Sequence, residues 1–442
     1  MALTDAGMKL GLRALNGFAG LELLDKIGIR EPAERLIYRG AKNGTRTAAT
    51  AGRAFTATTK RAKSKPARMP AASSQGLFDL TPTDEQQMLR DSFSQFASEK
   101  LRKAAPDADA KSEAPKELMA QASELGITML GVPEEMGGVF DERSAITSVL
   151  VAETLAHGDM GLAVAALAPA AVSTAIGLWG DGAQQAKYLP AFVGEDIPAA
   201  ALAIIEPKPL FDPLQLDTKA EPTEDGGFTL TGTKSLVPRA QDAELFVVAA
   251  DLIGGKGPAL FIVESGTDGV STEDDPAMGL RAAGTKRLVL DNATLPKNAI
   301  LAAGAPEVYR ECIQRSRLAW CAVAVGTSQA VLDYVIPYTN ERVAFGEPIS
   351  NRQAVAFMVA DIGIELEGMR LQTYRAASRA DQGKEFARET TLARILCSER
   401  GMKIGSDGVG LLGGHGFVKE HPVERWYRDL RATGLMEGAL LV

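Results

Sequence analysis

The sequence closes with a glycine cluster, a charged stretch and a lone carboxylate. Gly413-Gly414-His415-Gly416 precedes His421-Pro422-Val423-Glu424-Arg425-Trp426-Tyr427-Arg428-Asp429, and Glu437-Gly438 follows. Adjacent glycines let a backbone approach a ligand closely, and the charged stretch is typical of the start of a helix. Glu437 lies in an otherwise apolar tail, so it is either a functional carboxylate or a solvated residue in a frayed C-terminus.

The length, composition and charge of the chain indicate a soluble protein and argue against nucleic-acid binding. The chain has 442 residues, 45% hydrophobic and 24% charged, which is ordinary for a soluble protein of one large or several smaller domains. The net charge of −8 is uneven: residues 1–70 carry 14 Lys and Arg against 5 Asp and Glu, or +9, so the remainder carries −17. A body this acidic is a poor nucleic-acid binder.

Cysteine and histidine usage argues against a disulfide framework or a metal site. Cys312, Cys321 and Cys397 show no C-x-x-C spacing, and the three histidines are scattered. We therefore predict no metal, and a reducing compartment such as the cytoplasm. We recognise no run of about 18 apolar residues, so we predict no segment that spans a membrane by itself. The first 40 residues include five acidic side chains, so a secretory signal is not predicted either.

The first 78 residues differ from the rest. Apolar residues at steps of three and four, from Met8 to Leu23, predict an amphipathic helical extension over residues 1–40. Residues 41–78 hold eight basic residues and no acidic one, which predicts a basic flexible linker. Two interpretations stay open: residues 1–70 make peripheral contact with an anionic membrane, or the helix docks on the protein's own body.

The remaining sequence changes its hydrophobic period twice. A helical pattern covers residues 79–197, short β-rich runs cover 198–303, and long helical stripes return over 304–442. The fold class is therefore α+β multidomain: an N-terminal helical domain, a central barrel-like or sandwich-like β-sheet domain and a C-terminal four-helix-bundle domain. Strands are predicted at 228–231, 245–248, 259–263 and 288–290, and long helices at 307–340, 351–382 and 385–409.

An ordered set of short motifs extends over residues 77–438. It includes Glu206-Pro207, Met278-Gly279-Leu280-Arg281, Arg315-Ser316-Arg317 and Arg428-Asp429. With these motifs in this order the chain resembles the acyl-CoA dehydrogenase family. The resemblance implies an FAD flavoprotein of fatty acid β-oxidation that forms an α,β double bond in an acyl-CoA thioester. It also implies an electron-transfer flavoprotein as partner and a homo-oligomer, either a dimer or a tetramer.

The resemblance assigns roles to particular residues. Glu437 lies eight residues after Asp429, where the family commonly has the base that removes the α-proton. Its apolar neighbours would raise its pKa. Arg317 and Gly438 match substrate-binding positions. Contacts to the diphosphate and adenine of FAD, made in the family across a subunit interface, are predicted at Arg342, Phe345, Gly346, Gln353, Gly413 and Gly414.

Four positions near the expected flavin ring depart from the family pattern. Ile205 and Pro238 replace hydroxyl residues, Leu236 replaces a tryptophan, and Phe211 replaces a serine. Each lost hydrogen bond costs about 0.5–1.5 kcal/mol, unless backbone groups and apolar packing hold the ring instead. Two alternatives therefore stay open: a cofactor-poor or non-catalytic subunit of a hetero-oligomeric acyl-CoA dehydrogenase, and a redox-inactive acyl-CoA-binding scaffold.

Overall fold

The structure, a computed structural model, describes residues 81–138, 143–194, 196–255 and 257–440. The predicted helical extension, the basic linker and the membrane contact assigned to residues 1–70 lie outside these described residues. Within them the chain forms helices, then a β-sheet, then helices again, as the sequence predicts.

The N-terminal region is helical. Helix α1 begins after Thr83, whose hydroxyl accepts a hydrogen bond from the Gln86 N–H at 3.2 Å while the Gln86 side chain accepts from the Thr83 N–H. Asp159 separates two apolar helices, because its side chain accepts from the Leu162 N–H and starts a new helix there. The helices are α1 (Asp84–Phe96), α2 (Arg102–Lys111), α3 (Lys116–Glu124), α4 (Ala145–Gly158), α5 (Met160–Trp179) and α6 (Gly182–Tyr188).

The central region is a seven-stranded sheet with the order β1-β4-β2-β3-β7-β6, and β5 also pairs with β4. Strands β1 and β2 run parallel to β4, and the other neighbours are antiparallel. All four predicted strands are confirmed within β3, β4, β5 and β7, whereas β1, β2 and β6 were missed. The strands are β1 (Ala200–Ala203), β2 (Lys219–Pro222), β3 (Phe228–Val237), β4 (Leu245–Leu252), β5 (Gly257–Glu264), β6 (Val270–Asp274) and β7 (Lys286–Leu295).

Three long helices dominate the C-terminal region, within three residues of their predicted limits. They are α7 (Pro306–Glu341), α8 (Gln353–Asp381) and α9 (Ala387–Leu412), and the short α10 (Val423–Leu430) follows. A two-stranded hairpin, β8 (Val343–Ala344) and β9 (Glu347–Pro348), joins α7 to α8. Helix α4 packs against α7 and α8, so the bundle also includes a helix from the N-terminal region.

Two helices, α5 and α7, are long and apolar enough to cross a membrane by length and composition, although the sequence analysis recognised no such run. Helix α5 contains no charged residue. The most apolar windows of α5 and α7 are 72% and 67% buried inside the protein. Burial of that extent is typical of the core helices of a globular protein.

The charged stretch that closes the sequence ties the three regions together. Arg425 of α10 pairs with the buried Asp159, the cap of α5, at 2.8 Å. Asp429 accepts a hydrogen bond from the backbone N–H of Leu280, between β6 and β7, at 2.7 Å. Removing one partner of a buried pair of this kind costs about 3–5 kcal/mol, because the other charge stays buried and unpaired. This short helix therefore links the N-terminal helices, the sheet region and the C-terminal bundle.

Candidate active site

Glu437 is buried, with 5% of its surface exposed. Its carboxylate oxygen Oε1 accepts hydrogen bonds from Ser316 Oγ at 2.6 Å and from Trp320 Nε1 at 3.3 Å. The second oxygen, Oε2, is also buried and has no hydrogen-bond partner among the described residues. This excludes the interpretation of Glu437 as a solvated residue in a frayed tail.

The backbone around Glu437 is held from two helices. Arg317 of α7 donates from Nε and Nη2 to the Glu437 carbonyl at 3.0 and 2.7 Å, and Arg394 of α9 donates to the Gly438 carbonyl. Gly438 has a φ of +108°, and an added Cβ would lie 2.7 Å from Pro213 Cδ. Glycine is therefore required at this position.

The electrostatic environment of Glu437 combines burial with two nearby cations. Burial raises the pKa of its carboxyl group, and the hydrogen bond from Ser316, the charge of Arg394, the Trp320 N–H and the charge of Arg317 oppose the rise. Burial likewise lowers the pKa of Arg394 to about 10, so this guanidinium remains charged at neutral pH. A carboxylate with a raised pKa is suited to general-base chemistry near neutral pH.

Two cavities meet at the segment of α7 that holds Glu437. The first, of about 190 Å³, is apolar and lies between α4, α5 and α7; Ser316 and the exposed Ala319 line it. The second, of about 630 Å³, is lined by Arg317 and by charged residues of both signs at the start of α7 and between α8 and α9. Arg315 lines both cavities, and its neighbours Ser316 and Arg317, which each line one of them, both bond Glu437.

A buried ion pair holds the loop between β1 and β2, which contacts the end of the chain next to Glu437. Lys234 is 0% exposed and donates from Nζ to Glu206 Oε1 at 2.9 Å and to the Ile204 carbonyl at 3.1 Å. Burial lowers the pKa of Lys234 to about 8. Glu206 also accepts from the backbone N–H groups of Asp217 and Thr218. The loop that carries Phe211 then meets the end of the chain, where the Ala439 N–H donates to the Phe211 carbonyl at 2.9 Å.

The predicted FAD-binding residues gather elsewhere, at the far end of the bundle. Phe345 (95% exposed) and Gly346, with φ of +56° and +85°, form the tip of the β8–β9 hairpin. Tyr338 connects this end to the glycine cluster, since its hydroxyl donates to the Leu412 carbonyl at 3.4 Å. The predicted positions Arg342, Phe345, Gly346, Gln353, Gly413 and Gly414 are all exposed.

The structure does not bring these residues to Glu437 of the same chain. Ser316 and Arg342 are 26 residues apart along α7. At about 1.5 Å per residue, that corresponds to about 39 Å. This distance is too long for one small cofactor to contact both, so the two groups of residues belong to different sites of a single chain.

Sequence reasoning missed three residues that donate hydrogen bonds to Glu437 or to its neighbour Gly438. Ser316 and Trp320 precede Glu437 by more than a hundred residues, and Arg394 lies on another helix. Ser316 had one signal, its position inside the Arg315-Ser316-Arg317 motif. Trp320 and Arg394 had none, because only the tertiary fold brings them to the C-terminal segment.

Comparison with known proteins identifies the family. The chain matches the acyl-CoA dehydrogenase N-terminal domain over residues 83–196, the middle domain over 201–293 and the C-terminal domain over 306–440. It belongs to the acyl-CoA dehydrogenase family. A probable short/branched chain specific acyl-CoA dehydrogenase of Dictyostelium discoideum is 30% identical over 365 residues, covering 81% of this chain and 87% of that protein.

Solved structures of acyl-CoA dehydrogenases confirm the predicted fold. Butyryl-CoA dehydrogenase from Megasphaera elsdenii has a TM-score of 0.77 at 29% identity, covering 82% of this chain and 97% of that one. The glutaryl-coenzyme A dehydrogenase glutaryl-CoA complex has a TM-score of 0.76 at 28% identity, covering 83% and 94%. Acyl-CoA dehydrogenases are FAD-dependent oxidoreductases, so FAD is the cofactor that this fold implies.

The residues predicted to contact the diphosphate of FAD suit that group better than the residues predicted near its flavin ring. Arg342 is exposed and its guanidinium has no hydrogen bond or ion pair within the described ranges, which suits a diphosphate. On the ring side, Ile205, Phe211 and Pro238 are buried apolar residues and Leu236 is half-buried. An exposed guanidinium would thus suit the diphosphate, whereas the four positions predicted to lie near the ring carry only apolar side chains.

Proposed function

We propose that this acyl-CoA dehydrogenase family member oxidises the α,β bond of an acyl-CoA thioester, with Glu437 as the general base. Its carboxylate is buried, its pKa is raised, and its Oε2 has no hydrogen-bond partner in the described part of the chain, which together support the assignment. A base of this kind removes the proton α to the thioester carbonyl. Bound FAD would supply the acceptor for the hydride that leaves the β-carbon.

The two cavities beside Glu437 suggest how a thioester would bind. The apolar cavity of about 190 Å³ suits the acyl tail. An apolar cavity of about 150 Å³ can hold benzene, so this one has room for an apolar group of roughly six carbons. The charged cavity suits the polar part of CoA, with Arg317 at its boundary. Gly438 allows the chain to pass close to this boundary, because any side chain would meet Arg317 and Pro213.

A homo-oligomer would complete the cofactor site, consistent with the assembly that is typical of the family. The distance along α7 supports a site in which Arg342, Phe345, Gly346, Gln353, Gly413 and Gly414 bind the FAD whose ring lies beside the partner subunit's base. Exposed apolar residues on α8 and α9 support such an assembly. They are Phe357, Ile364, Leu371, Leu392, Ile395 and Met402.

The family chemistry implies an electron-transfer flavoprotein as the physiological acceptor. The free cysteines Cys312, Cys321 and Cys397 support a reducing compartment such as the cytoplasm. Domain limits at residues 79–197, 198–303 and 304–442 also stay proposals. Peripheral membrane contact through residues 1–70 is supported by their charge of +9 and by the amphipathic pattern from Met8 to Leu23. Liposome flotation of the full chain against a chain starting at Leu77 tests this contact, and equal partitioning of both would end it.

Replacing the proposed base separates catalysis from binding. In Glu437→Gln the amide cannot accept the α-proton, so we expect turnover of butyryl-CoA to fall by roughly 10²–10⁴-fold. Acyl-CoA affinity, measured by isothermal titration, should change little because the side chain keeps its shape. Unchanged turnover would contradict the assignment of Glu437, and absence of turnover in the parent protein would favour the scaffold alternative.

The apolar ring side favours one second candidate, a cofactor-poor subunit that pairs with a complete relative. Ile205, Phe211, Leu236 and Pro238 carry no side-chain hydrogen bond for a flavin. The visible absorbance of the purified protein decides between the candidates. A homo-oligomer with stoichiometric flavin would exclude the cofactor-poor subunit, and a colourless protein that binds no added FAD would exclude the enzyme.

A further inference from the structure

The two oxygens of the Glu437 carboxylate have different surroundings. Oε1 accepts from Ser316 and Trp320, which lie four residues apart and therefore on the same face of α7. Oε2 is buried without a hydrogen-bond partner among the described residues. A buried acceptor without a donor is destabilised, and gaining a proton removes that penalty. The asymmetry thus separates an anchored oxygen from one that can accept a proton.

We propose that Ser316 is a positioning residue, which together with Trp320 anchors Oε1 so that Oε2 of Glu437 receives the α-proton of the substrate. The proposal rests on the proposed function of Glu437 and adds a defined role for its neighbours. In the step, the α C–H bond breaks, an O–H bond forms at Oε2, and the electron pair stays on the α-carbon. No oxidant is needed, because in heavy water the glutamic acid exchanges its proton and returns a deuteron.

The other ionisable groups that act directly on Glu437 keep the same charge near neutral pH. Tyr309 and Cys312 of α7 are buried, and burial raises the pKa of both, so they are neutral near pH 7. Arg317 of α7 and Arg394 of α9 are cations there. Lys234, whose pKa burial lowers to about 8, bonds Glu206 and not Glu437. A shift of the profile therefore reports on the Glu437 carboxylate when it follows the removal of a hydrogen-bond partner of that carboxylate.

The hydrogen bond from Ser316 predicts the direction in which the pH profile should shift when the hydroxyl is removed. Its hydroxyl stabilises the charged carboxylate, so it lowers the pKa of Glu437 against the effect of burial. Without the hydroxyl, the pKa rises, and the base is less ionised at a given pH below it. Activity is then lost on the acidic side and retained at higher pH, whereas a general structural defect would lower activity at every pH.

The test measures deuterium exchange at the α-carbon of 3-thiabutyryl-CoA by mass spectrometry, using the full chain as purified. The sulfur at the β-position leaves no β-hydrogen to transfer, so the readout reports proton abstraction alone. We expect Ser316→Ala to raise the apparent pKa of the exchange rate by about one unit. Ser316→Thr, which keeps the hydroxyl, should restore the parent profile.

Ser328→Ala is the matched control, because Ser328 is a buried serine of the same helix whose Oγ has no hydrogen-bond partner within the described ranges. It should leave the profile unchanged. Trp320→Phe removes the second donor and keeps an aromatic ring, so it tests the anchor should Ser316→Ala not fold. A profile in Ser316→Ala that coincides with the parent's, or a uniform loss at all pH values, would overturn the proposal. Failure of the proposed role of Glu437 as the base would give a different result. In that case the Glu437→Gln protein would exchange deuterium into the substrate as fast as the parent protein.

Discussion

At the residue scale, Gly438 makes the sharpest stability prediction. Its φ of +108° and the close approach of Pro213 Cδ leave no room for a side chain. Gly438→Ala should destabilise the protein by about 1–3 kcal/mol, the usual cost of a strained backbone. The strain would also move the Glu437 carbonyl away from Arg317. We expect a lower midpoint of chemical unfolding together with at least tenfold slower turnover.

Gly410 provides the matched control for this substitution. It lies in α9, it is exposed, and an added Cβ would meet no atom within 4 Å. Gly410→Ala should therefore stabilise the helix by about 0.5–1 kcal/mol, because alanine loses less backbone entropy on folding. Equal effects of the two substitutions would show that the contact with Pro213 is not what requires glycine at position 438.

The sequence predicted the residues at the centre of the site but not the side chains that hold them in place by hydrogen bonds. Glu437, Gly438 and Arg317 could be found because each belongs to a short motif, and the structure brings all three together. Arg394 and Trp320 sit in helical segments that give no local reason for a polar contact. Their role arises only when α7, α9 and the C-terminal segment meet. Sequence reasoning finds groups that share a motif, whereas partners on separate helices depend on tertiary packing.

At the element scale, long periodic segments were predictable and short strands were not. Helices α7, α8 and α9 repeat an apolar stripe over 26 to 36 residues, which leaves little doubt about their type. Strand β2 has four residues and includes Pro222, and β6 consists almost entirely of exposed polar residues. Such strands are specified by their neighbours in the sheet more than by their own sequence.

Helix α7 also gives a prediction about acyl length. Ala319 is exposed on this helix because it faces the apolar cavity of about 190 Å³. Ala319→Phe should fill much of that space, so we expect KM for octanoyl-CoA to rise at least tenfold while KM for butyryl-CoA changes less. Steady-state kinetics with both thioesters measures the difference, and thermal unfolding should be nearly unchanged.

Ala120→Phe is the control for Ala319→Phe, because Ala120 is an exposed alanine of α3 that does not line this cavity. It should alter neither KM value. An equal rise of KM for the short and the long thioester in Ala319→Phe would mean that the cavity does not hold the acyl tail. The substitution would then act on the base or on the CoA end of the substrate instead.

At the scale of the whole molecule, the separation of Glu437 from Arg342 makes assembly part of the proposed function. Phe357, Ile364 and Leu371 repeat every seven residues along α8 and are 58%, 70% and 47% exposed. A contiguous exposed apolar patch on a globular protein commonly marks an interaction surface. Ile364→Glu should therefore shift the protein toward monomer in sedimentation velocity, because a buried charge would oppose association.

Loss of the oligomer should also remove FAD, because the diphosphate contacts would then lack their partner. We expect Ile364→Glu to lower the flavin-to-protein absorbance ratio, and Arg342→Ala to lower the ratio without dissociating the oligomer. Met88→Glu is the control, since Met88 is an exposed apolar residue (63%) of α1 and not of α8. A monomeric Ile364→Glu protein that retained stoichiometric FAD would show that one chain binds the whole cofactor.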